Sequence, residues 1–571
     1  MLQAATGKLF TYGIDRTNVL RGVVYTNISL LAEDQVDTAI GVIQSLSSRS
    51  FPNVLSCTIT ENIELTANGP GVLVSNCIDV YIQDFSDVVA FVLGVTCTPD
   101  MKMAERMLIE KSRIRRDSDN PILNRYFSSD VVVSLSELTH LKLVAADLIG
   151  LRRPQYLAAI KAIRSYITAV YRSKDDLDLA YTLLIISLES LVQNFDNYKT
   201  SWADLNDSKR KPIDEALEGL PADASEAIRE AILSSEHVAL SRRFKQFVSS
   251  HVPIDYFGKL AESEARPVGK KDLDEALSNL YQTRSKYVHE LVALPRNMHH
   301  GTGAETIVVD GKLLFSFQGL LRLTKAVILE FISRQEKIER EPCNYSADNP
   351  NIMTAKLCPS MWVGDTRGLN PHNCFGYFNG FVDLIGKFYE EYPKGKIYDV
   401  REVIGAGLKF KGLKLGQKRA LLGMHFIFNN FVRSDQQSKA KISKGDIHAI
   451  TVPSLESLIT HAILGVDSEW DVKEHEKYYK AYYKQRFNKS GILLSNKVEA
   501  CLGLALAERY RLSGNLKECL DQIHVTAADY PSLRSIRELA VDFDSGNPIQ
   551  WISLIYPETR KPRSTLECIG L

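Results

Sequence analysis

The chain has 571 residues, of which 45% are hydrophobic, 24% charged and 9% aromatic, close to ordinary globular usage. A chain of this length is expected to fold as several domains, and its composition excludes a disordered or fibrous protein. The 69 Lys and Arg residues balance the 69 Asp and Glu residues, so any affinity for nucleic acid must come from local patches.

Apolar runs and cysteines indicate the compartment. The longest apolar stretches, such as residues 88–97, are shorter than the roughly 20 residues that a membrane-spanning helix needs. The first residues, MLQAATGKLF, lack the charged start and apolar run of a secretion signal. The nine cysteines are odd in number and scattered. We therefore predict a cytoplasmic protein with reduced thiols and no membrane segment.

Residues 1–137 are predicted to form a β-rich α+β domain. Short apolar runs rich in Val, Ile and Thr alternate with Gly, Pro, Asn and Asp, which is typical of strands. The predicted strands are 23–30, 54–65, 72–82, 88–97 and 131–135, with a basic helix inserted at 101–116.

Residues 138–340 are predicted to form an all-α bundle, because the apolar period becomes helical. The predicted helices are 138–149, 154–171, 176–195, 224–248, 271–294 and 314–334.

Residues 341–571 are predicted to form an all-α, repeat-like domain. Residues 341–371 are rich in Pro and Asn and indicate a linker or an irregular entry. Helices predicted at 496–512 and 516–530 are separated by Ser-Gly-Asn, and the region 496–531 resembles one tetratricopeptide unit.

One segment, DLDEALSNLYQTRSKYVHELVAL at 272–294, carries chemistry as well as a helical pattern. Arg284 falls on its apolar stripe, and burying a guanidinium without a partner is costly. We expect either a carboxylate such as Glu189 or a bound phosphate to meet it. The stripe comprises Leu273, Leu277, Leu280, Tyr287, Val288 and Leu291.

His289 follows Arg284 by five residues. On a regular helix, the two side chains would point about 140° apart, so they do not share one face. Either the helix is distorted between them, or the pair lines a cleft between two packed elements or two subunits.

Two pieces of sequence resemble a known family. The apolar helix YTLLIISLESLVQNF contains the pair Leu188-Glu189, and YQTRSKYVHE places Ser285 directly after the arginine of an Arg-x4-His motif. Residues 154–334 are in these respects similar to the HEPN superfamily, within it the Apea-like branch of prokaryotic defence proteins. This chain departs from the branch at Glu290, where glycine is common.

The resemblance implies a metal-independent endoribonuclease that works as a homodimer and needs no cofactor. His289 would move protons, since its ordinary pKa is about 6.5, and Arg284 would stabilise charge on the phosphate. Glu189 would orient Arg284 or serve only as its structural partner. Substrate contacts are expected from Ser285, Lys286 and Tyr287.

Further cations are candidates for RNA binding. Arg242, Arg243 and Lys245 lie inside the helical domain and could flank its cleft. In the segment KEHEKYYKAYYKQRF, tyrosines alternate with cations and could stack on unpaired bases. The alternative is an amphipathic helix whose tyrosines pack and whose lysines are solvated. The candidate cations in this segment are Lys480, Lys484 and Arg486.

The function expected from these patterns is RNA cleavage by an effector in antiphage defence or abortive infection. Transfer RNA or another structured RNA is the expected substrate, and a phage-derived or host protein the expected trigger. The alternative is a non-catalytic scaffold that dimerises and binds a partner protein. A zinc site at Cys343, Cys358, His372 and Cys374 is disfavoured because a close ligand pair is missing from its first side, and no metal is expected.

Overall fold

The computed structural model describes residues 1–31, 33–46, 51–65, 75–108, 121–195, 201–202, 205, 207–235, 240–299, 303–353, 355–391, 394–488 and 491–556. The chain divides into two compact units, 1–354 and 355–571. Helices account for 59% of the residues and strands for 10%, so the fold is mostly helical with a small N-terminal sheet.

Among the described residues of the first unit, the strands form three sheets. They are β1 (Ile14–Thr26), β2 (Ile28–Ser29), β3 (Gln35–Asp37), β4 (Val42–Ser45), β5 (Asn53–Glu64), β6 (Cys97–Thr98), β7 (Val131–Val132), β8 (Thr306–Val309) and β9 (Lys312–Phe315). The main sheet has the order β3-β4-β5-β1-β6 and is antiparallel throughout. Strands β2 and β7 pair in parallel, and β8 and β9 form a hairpin.

Helices make up most of this unit. They are α1 (Leu2–Ala5), α2 (Asp79–Leu93), α3 (Met101–Leu108), α4 (Pro121–Phe127), α5 (Leu135–Gly150), α6 (Arg153–Arg172), α7 (Leu177–Phe195), α8 (Asp207–Leu217), α9 (Ala222–Ser235), α10 (Leu240–Ser250), α11 (Leu273–Glu290), α12 (Arg296–His299) and α13 (Phe317–Arg334). Short 3-10 turns occur at Ile254–Tyr256, Lys259–Ala261 and Ser346–Asp348.

The second unit is helical in its described residues. Its helices are α14 (Cys374–Glu390), α15 (Arg401–Gly407), α16 (Leu415–Phe431), α17 (Lys444–Thr451), α18 (Leu455–Leu464), α19 (Val472–Gln485), α20 (Asn496–Leu512), α21 (Leu516–Asp529), α22 (Arg534–Val541) and α23 (Trp551–Ile555). The 3-10 turns are Pro359–Met361, Pro371–Asn373 and Ser434–Gln436.

Local signals explain several confirmed helices. Ser134 and Glu137 form a reciprocal capping box that starts α5, and Pro154 occupies the first turn of α6. The predicted helices 138–149, 154–171 and 176–195 are confirmed as α5, α6 and α7 to within a few residues. The predicted pair at 496–512 and 516–530 is confirmed as α20 and α21, while its tetratricopeptide label stays a prediction.

The predicted strand at 88–97 is wrong over most of its length, because residues 88–93 belong to α2. Val88, Val89, Ala90 and Phe91 are all at most 1% exposed, so this helix segment is apolar on every side. A continuous apolar run cannot distinguish a buried strand from a buried helix. The predicted strand at 72–82 is also replaced by α2 from Asp79 onward, with 72–74 outside the described residues. Of the basic helix predicted at 101–116, α3 is the described part.

The predicted domain boundary between 137 and 138 is not a boundary between units. It falls inside α5, and one apolar core extends from Leu2 to Ile332. In that core, the ring of Phe91 in α2 lies 5.1 Å from the ring of Tyr166 in α6. The region predicted as all-α also contains the β8–β9 hairpin. Because β9 includes residues 314 and 315, the helix predicted at 314–334 begins only at Phe317, as α13. The division predicted at 340/341 lies at 354/355 in the structure.

Within the described ranges, no single helix is long and apolar enough to cross a bilayer. Helices α17 and α18 together have the length and apolar composition of a membrane-spanning segment, but the chain bends by 92° between them.

The second unit should lose stability in mild acid. Burial lowers the pKa of His425 and His461 to about 4 and that of His475 to about 3. Because the folded unit keeps these rings neutral, protonation below pH 6.5 favours the unfolded chain. Above pH 6.5, these three histidines should not change the free energy of unfolding. As the pH falls from 6.5 to 4, each histidine should lower the free energy of unfolding by about 3 kcal/mol at most.

Urea unfolding between pH 6.5 and 5, followed by tryptophan fluorescence, measures this loss. Trp470 reports on the region directly, since its ring lies 5.6 Å from that of His461 and 5.8 Å from that of His475. His461→Gln should flatten the pH dependence, and His372→Gln, at an exposed position, should leave it unchanged. Identical slopes in wild type and His461→Gln would contradict the prediction.

Candidate functional site

The candidate site lies on two packed helices of the first unit. Helix α7 buries Leu184, Leu188 and Leu191, and it packs against α6, α13, α10 and α11. Glu189 follows Leu188 directly and therefore lies at the edge of this buried face. Helix α11 buries Leu277 and Leu280, so the next turn of its apolar stripe brings Arg284 toward α7.

Arg284 and Glu189 form an ion pair between α11 and α7. The Nη2 atom of Arg284 lies 3.0 Å from Oε2 of Glu189, and the two side chains are 21% and 14% exposed. The sequence analysis expected either a carboxylate or a bound phosphate beside Arg284. Within the chain, the carboxylate of Glu189 takes this place. The Nε atom of Arg284 is buried and has no acceptor among the described residues.

Burial dominates the electrostatics of this pair. It raises the pKa of Glu189, and the neighbouring Arg284 only partly offsets that rise. Burial also raises the pKa of Tyr281, one turn before Arg284, and the Glu189 charge adds to that shift. For Glu189, the cost of leaving water therefore outweighs the attraction of Arg284. The pair restricts the arrangement of α7 and α11, because separating the two groups would leave each of them partly buried without its partner.

His289 is exposed in the last turn of the same helix. The helix is regular between Arg284 and His289 and ends after Glu290, where Leu291 adopts a left-handed conformation with φ of 54°. The Leu291 amide still donates to the Tyr287 carbonyl at 3.0 Å. Helix distortion, one of the two explanations offered for the Arg–His spacing, is therefore wrong. Within one chain Arg284 faces α7, and His289 points about 140° away from it.

The three residues between them differ in exposure. Lys286 is exposed, while Ser285 and Tyr287 are half-buried. Burial raises the pKa of Tyr287, and the charges of Asp176 and Asp178 raise it further. Asp178 also accepts a hydrogen bond from the Leu294 amide at 2.9 Å, which ties the chain after α11 to the start of α7.

The end of α11 exposes apolar side chains. The expectation that Val288 and Leu291 belong to the core-facing stripe is wrong, since they are 42% and 79% exposed. Val292 is 47% exposed beside them. Leu273, Leu277 and Leu280 are buried as expected. The described chain thus leaves an apolar surface next to His289, which the sequence pattern did not reveal.

The RNA-binding candidates Arg242, Arg243 and Lys245 lie on α10, which packs against α7 and α11. Lys245 forms an ion pair with Asp274 of α11 at 3.0 Å. Arg242 is exposed, Arg243 is half-buried, and both have interactions of their own. The structure therefore brings this basic helix beside α11, and its role in flanking an RNA cleft stays a prediction.

The second set of candidates, Lys480, Lys484 and Arg486, lies in the second unit. Arg486 bonds to the buried Glu499 at 2.9 Å, and Lys480 pairs with Glu476 at 2.5 Å, while Lys484 is exposed. The tyrosines of this segment are engaged within the unit. Tyr482 donates to Glu499 at 2.5 Å, Tyr483 and Tyr530 are joined at 2.8 Å, and Tyr479 meets Gln522 at 3.0 Å.

This network confirms the packing interpretation for Tyr479, Tyr482 and Tyr483 and leaves their rings unsuited to stacking on bases. Sequence analysis did not identify Glu499, which lies on another helix and accepts hydrogen bonds from Tyr482, Arg486 and Tyr530. Among the described residues, no group of three or more His, Cys, Asp or Glu could hold a metal ion, including the four residues considered for zinc.

No protein-family model, curated protein or solved structure matches this chain. The HEPN resemblance consequently stays a prediction that rests on the two quoted segments.

Removing one member of the ion pair should destabilise the first unit. We expect Arg284→Ala to lower the free energy of unfolding by about 1 to 3 kcal/mol, because Glu189 is left partly buried without a cation. Glu189→Gln should cost less, since the amide can still accept a hydrogen bond from the guanidinium. Chemical denaturation of both single variants and the double variant gives the coupling energy. A coupling energy of zero would contradict a direct interaction.

Proposed function

We propose that the protein is a metal-independent endoribonuclease of HEPN type that acts as a homodimer. The observation that carries the proposal is the arrangement on α11, where Glu189 holds Arg284 against α7 and His289 stands exposed five residues later. An anchored cation and an accessible imidazole are the two groups that cleavage by the RNA's own 2′-hydroxyl requires.

The proposed reaction is an in-line transfer at phosphorus. A neutral His289 takes the proton of the 2′-hydroxyl as the oxygen attacks phosphorus, and the bond from phosphorus to the 5′-oxygen breaks. The leaving oxygen receives a proton from the imidazolium of a second copy. The products are a 2′,3′-cyclic phosphate and a 5′-hydroxyl. The donors of Arg284 that Glu189 does not occupy stabilise the charge that develops on the phosphate oxygens.

Two copies of the chain are needed because one copy does not present both groups on one face. The exposed Val288, Leu291 and Val292 next to His289 support a contact between copies at this point. In a symmetric dimer each copy contributes the same surface, so the two α11 ends would meet and bring two histidines to one cleft.

His289→Ala should abolish RNA cleavage with the fold intact, because an exposed side chain contributes little to stability. The experiment incubates purified protein with total RNA in EDTA and maps the fragment ends, which should carry a 2′,3′-cyclic phosphate. Glu290→Gln is the matched control on the same exposed turn and should retain activity. Cleavage that persists in His289→Ala would remove the histidine from the mechanism.

Leu291→Asp should convert a dimer to a monomer. The position has a left-handed backbone that Asp tolerates well, so the substitution should not disturb the fold. Sedimentation of the 64.1-kDa chain measures the association state, and Leu143→Asp, at a 61% exposed position on α5, is the matched control. A wild-type chain that is monomeric at micromolar concentration would contradict a shared cleft.

The same surface favours a second candidate function, a non-catalytic scaffold that dimerises through α11. In that case Arg284 serves only as the partner of Glu189, and the exposed apolar residues bind protein. The scaffold is favoured if Leu291→Asp abolishes dimerisation and the wild-type protein leaves RNA intact under all conditions. As a ribonuclease, the protein is proposed to act in the cytoplasm on transfer RNA or another structured RNA, as an antiphage effector released by a trigger protein.

A further inference from the structure

A cavity of about 420 Å³ lies in the first unit, away from α11. Its walls come from α2, from α3 and the residue before it, and from the C-terminal half of α6. The side chains of Met103, Ile167 and Tyr171 provide apolar wall, and Gln83 and Asp87 provide polar wall. This volume is large enough for a small metabolite and lies in the usual range of ligand sites.

Asp87 is an incompletely satisfied carboxyl group in this cavity. It is 5% exposed, and one of its oxygens accepts a hydrogen bond from Nε2 of Gln83 at 3.0 Å. No described residue donates a hydrogen bond to its other oxygen. Asp87 lines the cavity, and this oxygen is not among the fully enclosed polar atoms without a partner, so it is open to a molecule that fills the cavity.

The protonation of Asp87 restricts what that partner is. Burial raises its pKa to about 7, the Asp84 charge also raises it, and Gln83 and Arg164 lower it. Near neutral pH the free oxygen is therefore an acceptor in some molecules and a hydroxyl donor in others. A ligand hydroxyl can bond to both forms, because it donates and accepts.

The rim of the cavity is rich in cations. Lys102 is exposed and has no ion-pair partner among the described residues, and Arg106 and Arg172 share Asp175 at 3.0 and 3.7 Å. The lining therefore carries three cations, and its acidic residue Asp100 accepts a hydrogen bond from the Met103 amide at 3.2 Å. Exposed ion pairs of this kind are weak, so the arginines can turn to a phosphate at little cost.

We propose that this cavity binds a phosphorylated polyol, such as a small sugar phosphate. A hydroxyl of the ligand bonds to Asp87, its carbon skeleton lies against Met103 and Ile167, and its phosphate is held by Lys102, Arg106 and Arg172. The proposal is independent of the ribonuclease, since it uses none of the residues on α7 or α11.

Calorimetric titration of the full chain with ribose 5-phosphate tests the site, with ribose and inorganic phosphate as the two partial probes. We expect saturable binding of ribose 5-phosphate at least tenfold tighter than that of either partial probe. Lys102→Gln and Arg172→Gln should each weaken binding about tenfold, as expected for loss of one charge-assisted hydrogen bond. Lys161→Gln removes an exposed charge from α6 outside the cavity and should leave binding unchanged.

Asp87→Leu removes the hydroxyl partner and should reduce the affinity for ribose 5-phosphate to that for inorganic phosphate. Thermal unfolding checks that this variant is folded, and the two rim variants do not depend on the result. No binding at millimolar concentration would overturn the proposal. So would equal binding of ribose 5-phosphate and inorganic phosphate, or equal affinity in Arg172→Gln and Lys161→Gln. RNA cleavage is not read in any of these titrations, so the two proposals fail separately.

Discussion

The ion pair between Arg284 and Glu189 is the constraint on which the arrangement of the candidate site depends. Both side chains are largely withdrawn from water, and each would be costly to bury alone. The pair therefore excludes any rotation of α11 that separates the two groups. Because α11 is regular as far as Glu290, fixing Arg284 also fixes the direction in which His289 points.

This constraint separates the two groups that a single-chain active site would have to unite. A cation turned inward and an imidazole turned outward can act on one phosphodiester only if a second surface supplies the missing half. The exposed apolar residues beyond Arg284 are consistent with such a surface. The same geometry would serve a purely structural pair, and chemistry on RNA is what distinguishes the two functions.

The sequence predicted the long helices well and several burial patterns poorly, for physical reasons. Helices such as α5 and α6 combine an apolar stripe with recognisable starts, which are local properties. Residues 88–97 were misassigned because a helix buried on all sides loses its period. Val288 and Leu291 continue the stripe of α11 but are exposed, and Glu499 collects three partners from other segments. Such contacts depend on tertiary packing and have no local signature.

Buried charges elsewhere in the protein show why Asp87 is different. Glu305 is completely buried, and it pairs with Arg322 and accepts a hydrogen bond from the Val268 amide. Glu499 is bonded to Tyr482, Tyr530 and Arg486. In both cases the fold supplies the donors that an ionised carboxylate needs. Asp87 receives one donor and lies beside open volume with cations at its edge, so the rest of its hydrogen bonding is left to a molecule that enters from solvent.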